Sequence, residues 1–169
     1  MKAILPLCSG RSIVFIGCLL LCNIAQAFQL QSMDASRVNL MDYMGDDSWT
    51  VVMFWATDCI PCEEQKPALE AFHQKHKNGI AKVVGVVIDG MESKSEIDVI
   101  MNHHAPTYPN LVAFNDVFHR QYNELVGRPF RTTPTFLVFD PTGTLQGNLY
   151  GYIDFEALSQ HVSQQVSSN

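Results

Sequence analysis

Two cysteines, Cys59 and Cys62, are separated by two residues at the point where an apolar run gives way to a segment with helical character. A cysteine thiolate is a nucleophile, and a helix N-terminus stabilises it through unpaired backbone N–H groups and the positive end of the helix dipole. The second thiol lies one helical turn beyond the first, so it can attack a mixed disulfide that the first has formed. The spacing therefore predicts a redox-active dithiol, with Cys59 as the attacking nucleophile and Cys62 as the resolving cysteine.

The residues expected to tune this site are Asp58, Ile60, Pro61 and Glu64. Pro61 suits the first helical turn because it fixes φ and lacks an N–H that would remain unpaired there. The dipeptide between the cysteines supplies no cation, whereas Asp58, Glu63 and Glu64 add negative charge, so we expect a weakly stabilised thiolate and a reducing potential. The two glutamates are interpreted either as proton acceptors near the second thiol or as solvated acids that complement the helix dipole.

Other residues in register with the cysteines carry a family resemblance. They are Phe54-Trp55-Ala56, Cys59-Ile60-Pro61-Cys62, Pro67 and, far downstream, Thr133-Pro134-Thr135. From Phe28 to the C-terminus the chain resembles the thioredoxin superfamily, and more closely its TlpA/ResA-like exported branch. The resemblance implies a thioredoxin fold, dithiol–disulfide exchange, and a cis peptide bond before Pro134 that faces the two cysteines.

The resemblance also implies substrate-binding roles for Trp55, Thr133 and Pro134. A cis bond before the proline keeps the substrate's place open and leaves the backbone of Thr133 free to pair with an extended peptide. Trp55 is interpreted either as half core and half wall of the dithiol site or as a residue of the core alone.

Three positions depart from the pattern of this branch. Asp58 stands where an aromatic residue is usual, Gln65 stands where a glutamate is usual, and Met53 occupies the place of thioredoxin's buried aspartate. The proton relay that the resemblance would otherwise imply is therefore not carried over to this chain.

The N-terminus has the pattern of a secretory signal peptide. Lys2 and Arg11 supply positive charge, Ile13 to Leu21 form an apolar run, and Ala25-Gln26-Ala27 matches a small-x-small cleavage site. We expect cleavage after this tripeptide and export to the periplasm or another extracytoplasmic space. A retained membrane anchor and a lipoprotein site at Cys18 are the alternatives.

Cleavage there divides the chain into a signal peptide, residues 1–27, and a thioredoxin-like domain, residues 28–169. Of the five cysteines only Cys59 and Cys62 then remain, so they belong to no larger disulfide framework. The domain keeps 9 of the 11 basic residues and all 17 acidic ones, which gives a formal charge of −8. No basic face is visible, so we expect no nucleic-acid partner.

Periodicity and turn residues predict the elements that position the dithiol. In chain order they are an N-terminal hairpin (28–40), a helical turn (40–44), a buried strand (50–55), a helix from 59 or 60 to 77, a buried strand (80–89), a helix from 93 or 95 to 103, an apolar segment (111–114), a helix capped by Asn115, a hairpin (135–150), and a last helix capped by Asp154. This order suits an α/β fold with a mixed central sheet flanked by helices. The resemblance implies that the hairpin and a central insertion, residues 90–130, are additions to the minimal thioredoxin fold.

These observations predict an exported thiol–disulfide oxidoreductase that preferentially reduces protein disulfides and needs no cofactor beyond the Cys59–Cys62 disulfide. Its expected partners are cysteine-containing exported proteins and a membrane or periplasmic thiol donor. The alternative from another class is a metal-delivery protein that uses the two thiols as copper ligands. We interpret His73, His76 and His103-His104 as surface histidines and predict no dedicated metal site.

Overall fold

The computed structural model describes residues 28–167. The predicted signal peptide, with its cleavage site and the cysteines at positions 8, 18 and 22, lies outside the described residues. The strands are β1 (Gln29–Ser32), β2 (Arg37–Asn39), β3 (Trp49–Trp55), β4 (Ala81–Val87), β5 (Asn110–Ala113), β6 (Thr135–Phe139) and β7 (Leu145–Tyr150). The helices are α1 (Ile60–His76), α2 (Lys94–His104), α3 (Phe118–Val126) and α4 (Phe155–Ser167), with 3-10 turns at Leu40–Tyr43 and Met91–Ser93. None of these helices is long and apolar enough to cross a membrane.

The strands form one mixed sheet of seven strands in the order β2-β1-β5-β4-β3-β6-β7. Strand β3 pairs in parallel with β4 and antiparallel with β6, so it lies inside the sheet. Strands β1 and β2 form the predicted N-terminal hairpin, and β6 and β7 form the predicted second hairpin. The predicted α/β architecture, a mixed central sheet flanked by helices, is confirmed.

Strand β3 is buried along its whole length. Because side chains of a strand alternate between the two faces of a sheet, its odd and even positions enter different layers. Met53 and Trp55 pack in the layer that includes residues of α1, α2 and α4, whereas Val52 and Phe54 pack in the layer that includes residues of α3. Both faces of β3 are therefore covered, as the continuous apolar run predicted.

Between α2 and α3 one element was not predicted and one prediction was wrong. Residues 110–113 form a strand, β5, which pairs in parallel with β4 and antiparallel with β1. A run of four apolar residues has too few positions to show a period, and its partners are distant in sequence. Asn115 does not cap α3, which begins after Val117; its side-chain amide donates to the carbonyl of Asp89 at 3.0 Å and to Glu92.

The interpretation of His73 and His76 as surface residues was also wrong. Their exposed fractions are 7% and 6%. Nδ1 of His73 accepts the backbone N–H of Val83 at 3.2 Å, and Nε2 of His76 lies 2.6 Å from the hydroxyl of Ser159. These two contacts join α1 to β4 on one side and to α4 on the other, so the histidines hold the helix against its neighbours.

Replacing Phe54 with alanine should destabilise the fold strongly. Its ring is fully buried, with centroids of other rings between 5.5 and 6.2 Å away; these belong to Phe28, Phe118, Tyr122 and Phe130. We expect Phe54→Ala to lower the free energy of unfolding by about 3–5 kcal/mol, measured by denaturant titration. Val99→Ala, at a side chain with 69% exposure, is the control and should change it by less than about 0.5 kcal/mol.

Acid should destabilise the fold through the two buried histidines. Burial lowers the pKa of His73 and His76 below the ordinary value of 6.5, so the unfolded chain takes up these protons first as pH falls. Their contribution to stability is therefore full above about pH 6.5 and declines below it. Denaturation midpoints at pH 7.5 and 5.5 measure this loss.

The double variant His73→Asn/His76→Gln keeps hydrogen-bonding groups near the two ring nitrogens but cannot titrate. We expect it to lose less stability between the two pH values than the parent does. His119→Gln, at an exposed histidine, should leave the pH dependence as it was. Equal acid sensitivity in the parent and the double variant would refute this assignment.

Candidate active site

The dithiol lies where β3 ends and α1 begins, and short contacts fix the loop between them. The backbone N–H of Thr57 donates to Oδ2 of Asp89 at 2.8 Å, and the N–H of Cys59 donates to the carbonyl of Ala56 at 3.3 Å. Cys59 is the N-cap of α1, and its Sγ accepts the N–H of Cys62 at 3.2 Å. Pro61 lies in the first turn of α1, where proline is favoured because its missing N–H has no partner to lose. The helix begins at Ile60, as predicted from the sequence.

Cys59 and Cys62 form a disulfide, with their Cα atoms 5.2 Å apart. Cys59 keeps 6% of its surface exposed, whereas Cys62 is completely buried. The two cysteines therefore differ in accessibility, and Cys59 is the one that a partner molecule can reach. Both cysteines belong to the same buried cluster as Trp55 and Leu69.

Thr133 and Pro134 lie at the same end of the sheet as the dithiol. The peptide bond between them is cis, as the resemblance implied. The next residue, Thr135, pairs with Phe54, so the two residues before it lie beside the loop that leads to Cys59. Pro134 is buried, with its carbonyl accepting the N–H of Gly151 at 2.9 Å, whereas Thr133 is half-buried.

Of the two interpretations of Trp55, its burial fits the residue of the core alone better than the wall of the dithiol site. Its side chain is 1% exposed, and its indole N–H donates to Oδ1 of Asn110 at 3.2 Å. The ammonium of Lys66 lies 3.9 Å from the ring centroid. The indole thus fills the layer beneath the dithiol, where no partner molecule can reach it.

Three of the four predicted tuning residues face solvent, and the fourth, Pro61, is half-buried. Asp58 and Glu64 are exposed, and Ile60 has 71% of its surface exposed. The Glu64 carboxylate accepts a hydrogen bond from the hydroxyl of Tyr152, so it is engaged at the surface. Of the two interpretations of Glu64, the solvated first-turn acid is the one that fits this contact.

Gln65, at the position where the resembling branch has a glutamate, is 5% exposed and joins α1 to the segment after β7. Its amide nitrogen donates to the carbonyl of Gly151 at 3.0 Å, and its oxygen accepts the N–H of Ile153 at 3.0 Å. An ionised glutamate has no donor and would leave the Gly151 carbonyl unsatisfied. The amide therefore suits this position better than a carboxylate.

A partly buried charge cluster beside the dithiol was not predicted from the sequence. Lys66 is 4% exposed and forms an ion pair with Glu63, whose other oxygen lies 2.6 Å from Nε2 of His104 on α2. Burial lowers the pKa of Lys66, and the ion pair opposes that effect. Burial disfavours the Glu63 carboxylate, but hydrogen bonds from Lys66 and His104 outweigh it and hold the pKa of Glu63 below its usual value.

One signal in the sequence points to this cluster. Lys66 lies four residues after Cys62 and three before Leu69, which is the spacing of a single helix face. A lysine on a face that carries a cysteine and a leucine is placed to be buried, but its residue type alone suggests the surface.

Comparison with known proteins supports the fold and places the chain in a family. The thioredoxin-like protein YneN of Bacillus subtilis is 24% identical over 122 residues, which cover 72% of this chain and 66% of that protein. The thiol-disulfide oxidoreductase ResA of Oceanobacillus iheyensis is 25% identical over 144 residues, which cover 82% of this chain and 69% of that protein. The chain thus spans about two thirds of the length of these two relatives.

A thioredoxin-family thiol:disulfide interchange protein from Chlorobium tepidum has the same fold. Its crystal structure matches with a TM-score of 0.68 at 20% identity, over 82% of this chain and 92% of that one. The sequence model of the AhpC/TSA family matches residues 22–147, well over half of the chain. The chain therefore belongs to the AhpC/TSA family and has the thioredoxin fold.

Proposed function

We propose that this protein is an extracytoplasmic thiol–disulfide oxidoreductase that exchanges its Cys59–Cys62 disulfide with cysteines of other exported proteins. The observation that carries the proposal is the disulfide itself, closed within Cys-Ile-Pro-Cys at the N-terminus of α1. A helix N-terminus favours the thiolate needed for exchange. Relatives named as thiol-disulfide oxidoreductases support the same activity.

The difference in exposure of the two cysteines supports an order of steps. In the reduced protein the Cys59 thiolate attacks a partner disulfide, one partner sulfur leaves as a thiolate, and a mixed disulfide forms. The Cys62 thiolate then attacks Sγ of Cys59 and releases the second partner sulfur. Two electrons pass from the dithiol to the partner, whose two thiolates take up the protons lost by the cysteines.

A partner segment has a docking edge beside the reactive sulfur. Thr133 is half-buried next to the loop that leads to Cys59, and among residues 28–167 its N–H has no hydrogen-bond acceptor. An extended peptide can pair with this backbone and bring its own sulfur to the dithiol. Pro134 follows without an N–H of its own, so it does not compete for the same acceptor.

The cellular setting follows from the N-terminal segment and the charge. The basic residues, apolar run and Ala25-Gln26-Ala27 of the first 27 positions support export with cleavage after Ala27. The partners are then cysteine-containing exported proteins, and a membrane or periplasmic thiol donor returns the disulfide to the dithiol. The formal charge of −8 for residues 28–169 favours neither nucleic acid nor another polyanion as a partner.

The full chain should catalyse the reduction of insulin disulfides by a small dithiol, and Cys59→Ser should reduce the rate to background. Cys62→Ser should instead accumulate a mixed disulfide with its partner, because the attacking thiol survives while the resolving thiol is lost. Cys22→Ser, made in the uncleaved chain, changes a cysteine outside the described residues and is the control, expected to keep the parent rate. Gel analysis without reductant detects the mixed disulfide.

Two results would change the conclusion. If Cys59→Ser traps the partner through Cys62, the roles of the two cysteines are reversed. If the dithiol binds copper tightly but exchanges with neither insulin nor glutathione, the metal-delivery alternative replaces the oxidoreductase. Equilibrium titration against glutathione, with and without copper, separates these two functions.

The redox potential should lie near the reducing end of the known range. A strongly oxidising protein of this kind has a thiol pKa of about 3.5 and a reduction potential of about −120 mV. Thioredoxin, which is reducing, has a thiol pKa of about 7 and a reduction potential of about −270 mV. We expect Cys59 near the thioredoxin values, because no cation lies between the cysteines and Asp58 precedes them. Asp58→Asn should lower the pKa of Cys59, measured by thiolate absorbance, and Asp98→Asn on α2 is the matched control.

A pKa of Cys59 near 4 with a reduction potential near the oxidising end of that range would contradict the reducing direction and indicate an oxidase. It would also show that Asp58 does not control the site. An unchanged pKa in Asp58→Asn with a thioredoxin-like potential would keep the reducing direction and assign it to another cause.

A further inference from the structure

Lys66 is a buried cation for which the exchange steps above assign no role. It is 4% exposed on α1, its ammonium lies 3.9 Å from the centroid of the Trp55 ring, and its counter-ion is Glu63. Taking an ammonium out of water costs several kcal/mol unless other groups compensate it. Glu63 and the Trp55 ring compensate part of this cost.

The geometry of α1 brings this cation to the resolving cysteine. Lys66 follows Cys62 by four residues, and residues four apart on a helix lie on one face with Cβ atoms roughly 5–6 Å apart. Helical side chains lean toward the helix N-terminus, so Lys66 extends over the turn that carries Cys62. The ion pair with Glu63, three residues earlier, agrees with this direction, and the ammonium also contacts Trp55, which shares a buried cluster with both cysteines.

The resolving step needs the thiolate of Cys62, but the position of this cysteine disfavours a negative charge. Cys62 is completely buried, and burial opposes formation of its thiolate. Without that thiolate the mixed disulfide on Cys59 cannot be resolved. We propose that the ammonium of Lys66 stabilises the Cys62 thiolate and so controls the rate at which the bound partner is released. This role rests on the proposed function, although the charge effect on the thiol does not.

The surrounding charged groups determine how strong the effect is. Glu63 neutralises part of the positive charge and is itself shared with His104. The cavity beside Lys66, of about 320 Å³, is also lined by Glu70, His103, His104 and Tyr108. Among these ionisable groups, Glu63 alone bonds to the ammonium. Its carboxylate therefore weakens the attraction between Lys66 and the thiolate.

A variant with Cys62 as its only thiol measures the effect of Lys66 on the ionisation of Cys62 without interference from Cys59. In the full chain with Cys59 and the cysteines at positions 8, 18 and 22 replaced by serine, Cys62 is the sole thiol, and thiolate absorbance against pH gives its pKa. We expect Lys66→Met to raise that pKa by about 1 to 3. Glu63→Gln should lower it, because the cation is then less neutralised. Lys75→Met, at a lysine on α1 whose side chain is 55% exposed, is the matched control and should leave it unchanged.

Opposite shifts of the Cys62 pKa in Lys66→Met and Glu63→Gln distinguish this role from a structural one. If Lys66 only packs α1 against Trp55, loss of either member of the ion pair loosens the same contact, and both variants shift the pKa in one direction. That result, or an unchanged pKa in Lys66→Met, would overturn the proposal. If Lys66→Met fails to fold, Lys66→Arg, which keeps the charge, should retain the parent pKa while Glu63→Gln still lowers it.

A kinetic measurement tests the consequence for exchange. With both cysteines present, Lys66→Met should slow release of a partner from the mixed disulfide at pH 7. The loss should be smaller at pH 9, where a larger fraction of Cys62 is ionised. An equal loss at both pH values would contradict a role in ionisation. The pKa measurement needs no partner, so a protein that fails to reduce insulin but shows the Lys66 shift disproves the function and leaves the charge effect standing.

Discussion

Burial of β3 on both faces is the constraint on which the rest of the structure depends. Its alternate side chains enter two different layers, so the strand has no freedom to slip or rotate without exposing one of them. The chain leaves this strand at Trp55 and reaches Cys59 within four residues. The N-terminus of α1 is therefore held at the end of the sheet, and the dithiol takes its position from the strand rather than from its own loop.

Helix α1 is fixed along its length by polar contacts that its apolar residues alone would not provide. Gln65 binds the segment after β7, and His73 and His76 reach β4 and α4. Each contact uses a group that is buried and would be costly if left unpaired. Such a helix keeps the thiol of Cys62 and the ammonium of Lys66 in one arrangement. In a buried site, a fixed charge acts on a thiolate more strongly than it does at the surface.

Much of the fold could be predicted because the signals were local. The long apolar run of β3, the turn at residues 140–143 and the caps at Cys59 and Asp154 each lie within a few residues of the element they define. The failures involved partners distant in sequence. Strand β5 exists because β4 and β1 lie on either side of it, and Asn115 contacts Asp89 instead of its own helix.

The sequence by itself determined the candidate dithiol: the spacing of Cys59 and Cys62 and the start of a helix between them are local properties of the chain. Only the tertiary structure decided how the neighbouring side chains divide between surface and core. Trp55 and Lys66 became buried whereas Glu64 became exposed, because each position depends on what α2, β5 and the segment after β7 cover. Burial arises from contacts between elements that lie far apart along the chain. It sets how strongly a neighbouring charge acts on the two thiols.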